Sequence, residues 1–221
     1  SKKVKFFSCR KHITFCIKNK LILLIKNTFD IKKCYELDYL SGEKLGVLSP
    51  NEACFILPDS DLSIKEILSN SYNYNIFLTK IQNYFSNLIG NYENKKKTSS
   101  FIKIHETPKS CPVLSGTNRR MQILLTALNK NKYGNINLDG DILELNDIKI
   151  ENSGSNKKDQ IVTSSQIKEI CFGLQNSREN LIEQLNISFN KFCLLLENKI
   201  EHLLKIAKFT GWADCLQNAA Y

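Results

Sequence analysis

The longest hydrophobic pattern in the chain runs from Ser164 to Phe209. Along it Ile167, Ile170, Leu174, Leu181, Leu185, Phe189, Phe192, Leu195, Leu196, Ile200, Leu203 and Leu204 recur mostly at three- and four-residue steps. That spacing lays them along one face of an α-helix. No proline occurs after Pro112, and no glycine occurs between Gly173 and Gly211. The pattern therefore predicts one helix of roughly 65 Å, at about 1.5 Å per residue. Such a helix exceeds the diameter of a compact domain and must pack along a partner or reach across open space. Gly211, in "FTGWAD", is predicted to end it, with a second helix after the break.

Other stretches carry other periods. Residues 1–57 have a period-two texture in "VKFF", "ITFCI" and "KLILLI", which predicts a small β-meander. "LPDSDLSIKEIL" opens a helix with Asp59, Ser60 or Asp61 as N-cap, and its apolar stripe continues through Ile76, Leu78, Ile81, Phe85 and Leu88 to Gly90. Pro108 and Pro112 mark an irregular segment, after which Thr117 is placed to cap "NRRMQILLTALNKNK". "NINLDGDILELNDIKIENSG" alternates apolar and polar positions around Asp139-Gly140, a hairpin signal with Ile142, Leu143, Leu145, Ile148 and Ile150 as strand hydrophobics. The fold class expected is mainly α with a minor β portion. Its divisions are a β-rich basic segment (1–57), a helical segment (58–134), a β-hairpin (135–163) and the long helix with its C-terminal successor (164–221).

Charge adds a partner to this picture. Lysine and arginine number 31 against 22 acids, a net charge of +9, and the first 33 residues hold ten basic side chains against Asp30 alone. A polyanion is the expected partner, nucleic acid first and an anionic membrane surface second. The bland reading of the same charge is a set of solvated lysines in a chain rich in Asn, Lys and Ile. The longest apolar run, Leu21–Ile25, is far too short to span a bilayer. The eight cysteines are irregularly spaced and fall largely within apolar patterns, so they read as reduced packing residues of a soluble intracellular protein. The chain starts with Ser and stops at Tyr221 inside a helical pattern, and is expected to be part of something longer.

Candidate chemistry is sparse. Neither a G-x-x-x-x-G-K-[ST] loop nor a G-x-G-x-x-G occurs, so this segment is not expected to be an enzyme or to hold a cofactor. Cys9, His12 and Cys16 have metal-like spacing with Cys34 as the nearest fourth group, but packing cysteines are the preferred reading and no metal is expected. His105 and His202 stand apart from any nucleophile or paired carboxylate. The candidate phosphate contacts are Lys157 and Lys158 in the loop after the hairpin, with Asn156 and Lys149 beside them. Arg119-Arg120 at a helix start is a weaker candidate.

The order of a β-hairpin, a polar tip, "IVTSSQIKEI", a very long helix and a break at "GWADCLQNAA" resembles the lever and clamp region of the DNA mismatch-repair MutS family. Gln166, Ile167, Lys168 and Glu169 fall on that family's Glu-Leu-Lys-Glu positions, where the returning lever helix starts. Asp214, Leu216 and Ala220 match the segment that re-enters the core. Ser165 stands where proline is common, and Trp212 replaces a small or acidic residue. The resemblance covers roughly residues 135–221. It implies long antiparallel lever helices, a small clamp hairpin and contact with double-stranded, mismatch-bearing DNA through its backbone. It also implies a homodimeric parent that uses ATP and Mg2+, and the heavy use of Asn, Lys and Ile adds an organelle- or virus-encoded branch, such as the mitochondrial MutS of soft corals, as the expected placement. The rival readings are a free-standing basic module binding RNA or DNA through residues 1–33, and a helical protein whose Leu181–Leu204 stripe forms a coiled coil.

Overall fold

A computed structural model describes residues 20–38, 49–93, 100–107, 110–130, 134–152, 159–197 and 199–219. The chain is mainly α with a minor antiparallel β portion. In chain order the elements are α1 (20–28), α2 (Ile31–Asp38), α3 (Pro50–Ala53), a 3-10 turn (Pro58–Ser60) and α4 (Leu62–Glu93). They continue with β1 (Lys103–Thr107), β2 (Ser110–Thr117), α5 (Asn118–Lys130), β3 (Asn135–Leu138), β4 (Asp141–Glu144), β5 (Lys149–Asn152) and β6 (Asp159–Thr163). Helices α6 (Ser165–Glu197) and α7 (Ile200–Ala219) complete the order. The residues group into two compact units, one of 41–53 and 65–181, the other of 1–40, 54–64 and 182–221.

The first unit is built on a four-stranded antiparallel sheet in the order β1-β2-β6-β5. Its register aligns Ile104 with Leu114, Leu114 with Val162 and Val162 with Ile150, one apolar row across all four strands. Because strand side chains alternate between faces, that row fixes which side is buried. Leu114 and Val162 join one core with Leu78, Ile81 and Phe85 of α4, Met121 and Leu124 of α5, and Ile170 and Leu174 of α6. A separate two-stranded sheet, β3-β4, turns at Asp139 (φ 51°) and Gly140 (φ 97°). Both residues are left-handed, as the tightest hairpin turns require, and the Gly140 N–H donates to Asn137 Oδ1 at 2.7 Å.

Two expectations for this unit change. Ile142 and Leu143 belong to the β3-β4 hairpin, but Ile150 lies on β5, which pairs with β6 in the larger sheet. The alternation was continuous in sequence and did not reveal the switch of sheets. The segment around Pro112 is strand β2, not an irregular connection. A proline is accommodated there because the β1–β2 register shifts between His105 and Thr107, and the β2–β6 pairing runs from Leu114 to Thr117.

The second unit centres on Phe29. Its ring lies 4.6 Å from Phe192 edge-on, 6.1 Å from Phe55 and 6.3 Å from Phe189. Leu21, Cys54 and Ile56 are buried in the same unit. The chain is tied across this cluster by Asp30 N–H to Phe55 O at 2.9 Å and Leu57 N–H to Thr28 O at 2.8 Å. Asp61 proves to be the N-cap of α4. It accepts from Ser63 N–H at 2.9 Å, from Gln184 Nε2 at 3.0 Å and from the Ser188 hydroxyl. Burial pushes its carboxyl up, but those donors together with the Ile64 N–H outweigh it and hold the group below its ordinary value.

The β-meander expected within residues 1–57 is not found where the residues are described. "KLILLI" is helical, and among the described residues of this segment β pairing is limited to a bridge between Phe29 and Ile56. A short continuous apolar run does not distinguish a strand from a helix by period alone. The Thr28 hydroxyl bonding back to Leu24 O at 2.8 Å is the i−4 contact that the helix permits. "VKFF" and "ITFCI" lie outside the described residues.

The single helix expected from Ser164 to Phe209 is instead α6 and α7. Helix α6 has 33 residues, about 50 Å. The backbone turns at Lys199, whose N–H donates to Leu196 O at 2.8 Å, and α7 then runs through Gly211 without the expected break. Glycine costs a helix only about 1 kcal/mol, and the Thr210 hydroxyl bonds back to Ile206 O at 3.0 Å beside it. Within α7, at 100° per residue, Ile200, Leu203 and Leu204 fall on one side while Phe209, Trp212 and Leu216 fall on the opposite side.

Candidate nucleic-acid interface

Of the candidate phosphate contacts, Lys149 is the one described, and it lies on the face of the four-stranded sheet opposite the apolar row. Lys103 and His105 project from β1 and Lys149 and Glu151 from β5, the two edge strands, and all four are exposed. Lys149 pairs in register with Thr163 at the C-terminal end of β6. Beside it, Asp147 Oδ2 accepts the Ser165 N–H at 2.6 Å. The side-chain and backbone donors of Ser165, with a smaller contribution from the Lys149 charge, hold the Asp147 carboxyl below its ordinary range. Lys149 thus has an acidic neighbour on its own strand connection and is not a lone cation.

Asn156, Lys157 and Lys158 lie outside the described residues; in sequence they belong to the connection between β5, which ends at Asn152, and β6, which begins at Asp159. Arg120 is engaged within the fold: it donates to Phe101 O at 3.3 Å with its guanidinium 5.1 Å over the Phe101 ring. Arg119 lies 3.8 Å from Glu93 but its side chain is exposed, so that contact is loose.

The start of α6 shows why "TSSQIKEI" has its composition. Ser164 is the N-cap, its hydroxyl accepting from Ile167 N–H at 3.1 Å. Ser165 fills the first helical position, where a proline is equally at home, but uses its N–H on Asp147. Gln166 reaches back to β4, accepting from Glu144 N–H at 3.1 Å and donating to Ile142 O at 2.7 Å, so it covers the open edge of the small hairpin. Ile167 is buried, and Lys168 sits 3.8 Å from Glu151. The structural duty of Gln166 is not readable from sequence, because its partners lie 22 and 24 residues away.

Of the metal-like set, Cys9, His12 and Cys16 lie outside the described residues, and Cys34 is a half-buried free thiol. Among the described residues no group of three or more ligating side chains is placed to hold a metal ion. No helix among them is long and apolar enough to cross a membrane. No family model, no curated protein and no solved structure matches the chain.

Proposed function

We propose that the chain supplies lever and clamp elements of a MutS-type DNA mismatch-repair protein and holds double-stranded DNA by its phosphate backbone. The observation that carries this reading is the order and size of the elements. A 32-residue helix leads into a β-rich unit, and a 33-residue helix starts immediately after its last strand, at the "SSQIKEI" segment that resembles the family. A lever of this kind is needed when a DNA-contacting tip stands far from the site that senses it. The candidate tip in this reading is the β5–β6 connection, with Asn156, Lys157 and Lys158, and Lys149 lies at the other end of β5, where it pairs with Thr163. In this reading ATP, Mg2+ and the homodimer belong to the whole parent protein, and a mitochondrial setting is part of the same proposal.

The coiled-coil alternative has less support. Leu185 and Phe192, in the proposed seam, are buried within the chain itself, and the apolar positions of α7 change sides where a seam would have to continue.

The test is DNA binding by the Lys149→Ala/Lys157→Ala/Lys158→Ala chain, read by fluorescence anisotropy across a salt series. Phosphate contacts carry no base information, so affinity is expected to fall equally for matched and mismatched duplexes. The slope of log affinity against log salt is expected to drop by about 0.9 for each phosphate no longer neutralised. Unchanged affinity and slope would remove the tip from the interface.

A further inference from the structure

On the same unit, β2, β6 and the first two turns of α6 enclose a groove of about 550 Å³. Its lining includes apolar Val113, Ile161, Ile167 and Phe172 and the exposed, charged Glu151, Lys168 and Glu169. The volume is that of an ordinary small-molecule site, mostly apolar with a few polar groups. The carboxylates decide what would fit. Thr163 Oγ1 donates to Glu151 Oε1 at 3.0 Å, and Lys168 Nζ approaches the same oxygen at 3.8 Å. Both contacts fall on Oε1, leaving Oε2 uncommitted among the described residues, and Glu169 next to it is exposed with no ion pair there.

We propose that this groove is a binding site for a small aromatic cation, its ring against Val113 and Phe172 and its amidinium or ammonium group on Glu151. An amidinium presents parallel N–H donors, the geometry that pairs best with a carboxylate, and the Thr163 hydroxyl holds that carboxylate in orientation. Lys168 is exposed and contacts Glu151 loosely, so an incoming cation displaces it to water at little cost.

The probe is 4-phenylbenzamidine, compared with its uncharged amide and with 4-phenylbenzoate by ligand-observed NMR on the full chain without DNA. The amidine is expected to bind with a Kd of about 0.5 mM, the order that roughly 15 non-hydrogen atoms reach at ordinary ligand efficiency. The amide and the carboxylate are expected to bind at least about 10-fold more weakly, the loss of one charge-assisted hydrogen bond. Val113→Trp fills the groove and is expected to abolish binding, while Glu151→Gln is expected to erase the preference for amidine over amide. If Val113→Trp does not fold, Phe172→Ala serves instead. That side chain is 59% exposed, and its loss is expected to weaken binding several-fold. Equal affinity for all three probes overturns the proposal, as does binding unchanged in a folded Val113→Trp or Phe172→Ala chain. With no DNA present, either result leaves the clamp reading to its own experiment.

Discussion

Gly173 and Gly211 both lie inside helices, yet a methyl group would meet different surroundings at each. At Gly173 an added Cβ would sit 2.7 Å from the ring of Tyr74, so α4 and α6 approach there only because the side chain is missing. At Gly211 nothing lies within 4 Å. Replacing Gly211 with Ala is expected to stabilise α7 by up to about 1 kcal/mol through helix propensity alone. Gly173→Ala gains the same term but must displace an aromatic ring, at a typical cost of about 1–3 kcal/mol, so a net loss of about 1 kcal/mol is expected. In a Tyr74→Leu background Gly173→Ala should turn neutral or stabilising, and denaturant melts of the four chains read the reversal. Asp61 gives a second test. Its carboxyl titrates below the ordinary 3.8 in the folded chain, so its contribution is complete above that pH and is lost as pH falls through and below it. Asp61→Asn should therefore flatten the decline of Tm below about pH 4, while Asp61→Ala should cost about 1 kcal/mol at neutral pH as a lost N-cap. Thiol reactivity gives a third. Burial, with smaller contributions from Cys111 and Glu106, pushes the Cys171 thiol up to about 12, whereas Cys193 and Cys215 are exposed. Iodoacetamide at mild pH should alkylate Cys193 and Cys215 in the native chain and reach Cys171 only after unfolding.

Among the elements, α6 shows what the hydrophobic spacing contained and what it left out. Leu181, Leu185 and Phe192 are buried as their spacing predicts, whereas Leu194 and Leu195 are exposed and α6 ends at Glu197. Period alone did not mark that end, because Glu197 and Lys199 carry no breaker and the pattern resumes at Ile200. The two halves are separable by proline. Leu185→Pro should cost about 3 kcal/mol or more and remove much of the helical circular dichroism, since it interrupts the helix and deletes a buried side chain. Leu195→Pro, close to the helix end on an exposed face, should trim the last turn with a much smaller shift in Tm. Equal losses at both positions would indicate one continuous helix. The strands were less legible. The Asp139-Gly140 turn announced the β3-β4 hairpin, but no such turn signal marks the pairing of β5 with β6, and the pairing of β6 with β2 joins residues far apart in sequence. Nothing local in "NDIKIEN" specifies the sheet it joins.

For the molecule as a whole, helix-dominated composition and the absence of phosphate-loop motifs were readable at once, and the mainly α architecture arises from the long three-and-four spacings. The candidate interface was legible only as lysines near a turn. The register that sets Lys103, His105 and Lys149 on one face of the sheet depends on the long-range pairing of β2 with β6, and the engagement of Arg120 depends on Phe101, 19 residues away. The division into two units, each with its own apolar centre, was invisible because α4 and α6 each contribute residues to both.

Helix α7 has one more consequence. Trp212 is the chain's single tryptophan and is 74% exposed. Its indole emission is therefore an optical label, present without any engineering, that reports on α7 and on nothing else. In the free chain it should emit as a hydrated indole and be quenched readily by iodide. Loss of the Phe29 cluster or of the sheet on heating should leave its wavelength almost unchanged, even as circular dichroism records the transition. A shift to the blue with protection from iodide would mean that another surface has closed over the Phe209–Trp212–Leu216 side of the helix. The same measurement on the Trp212→Phe chain sets the background.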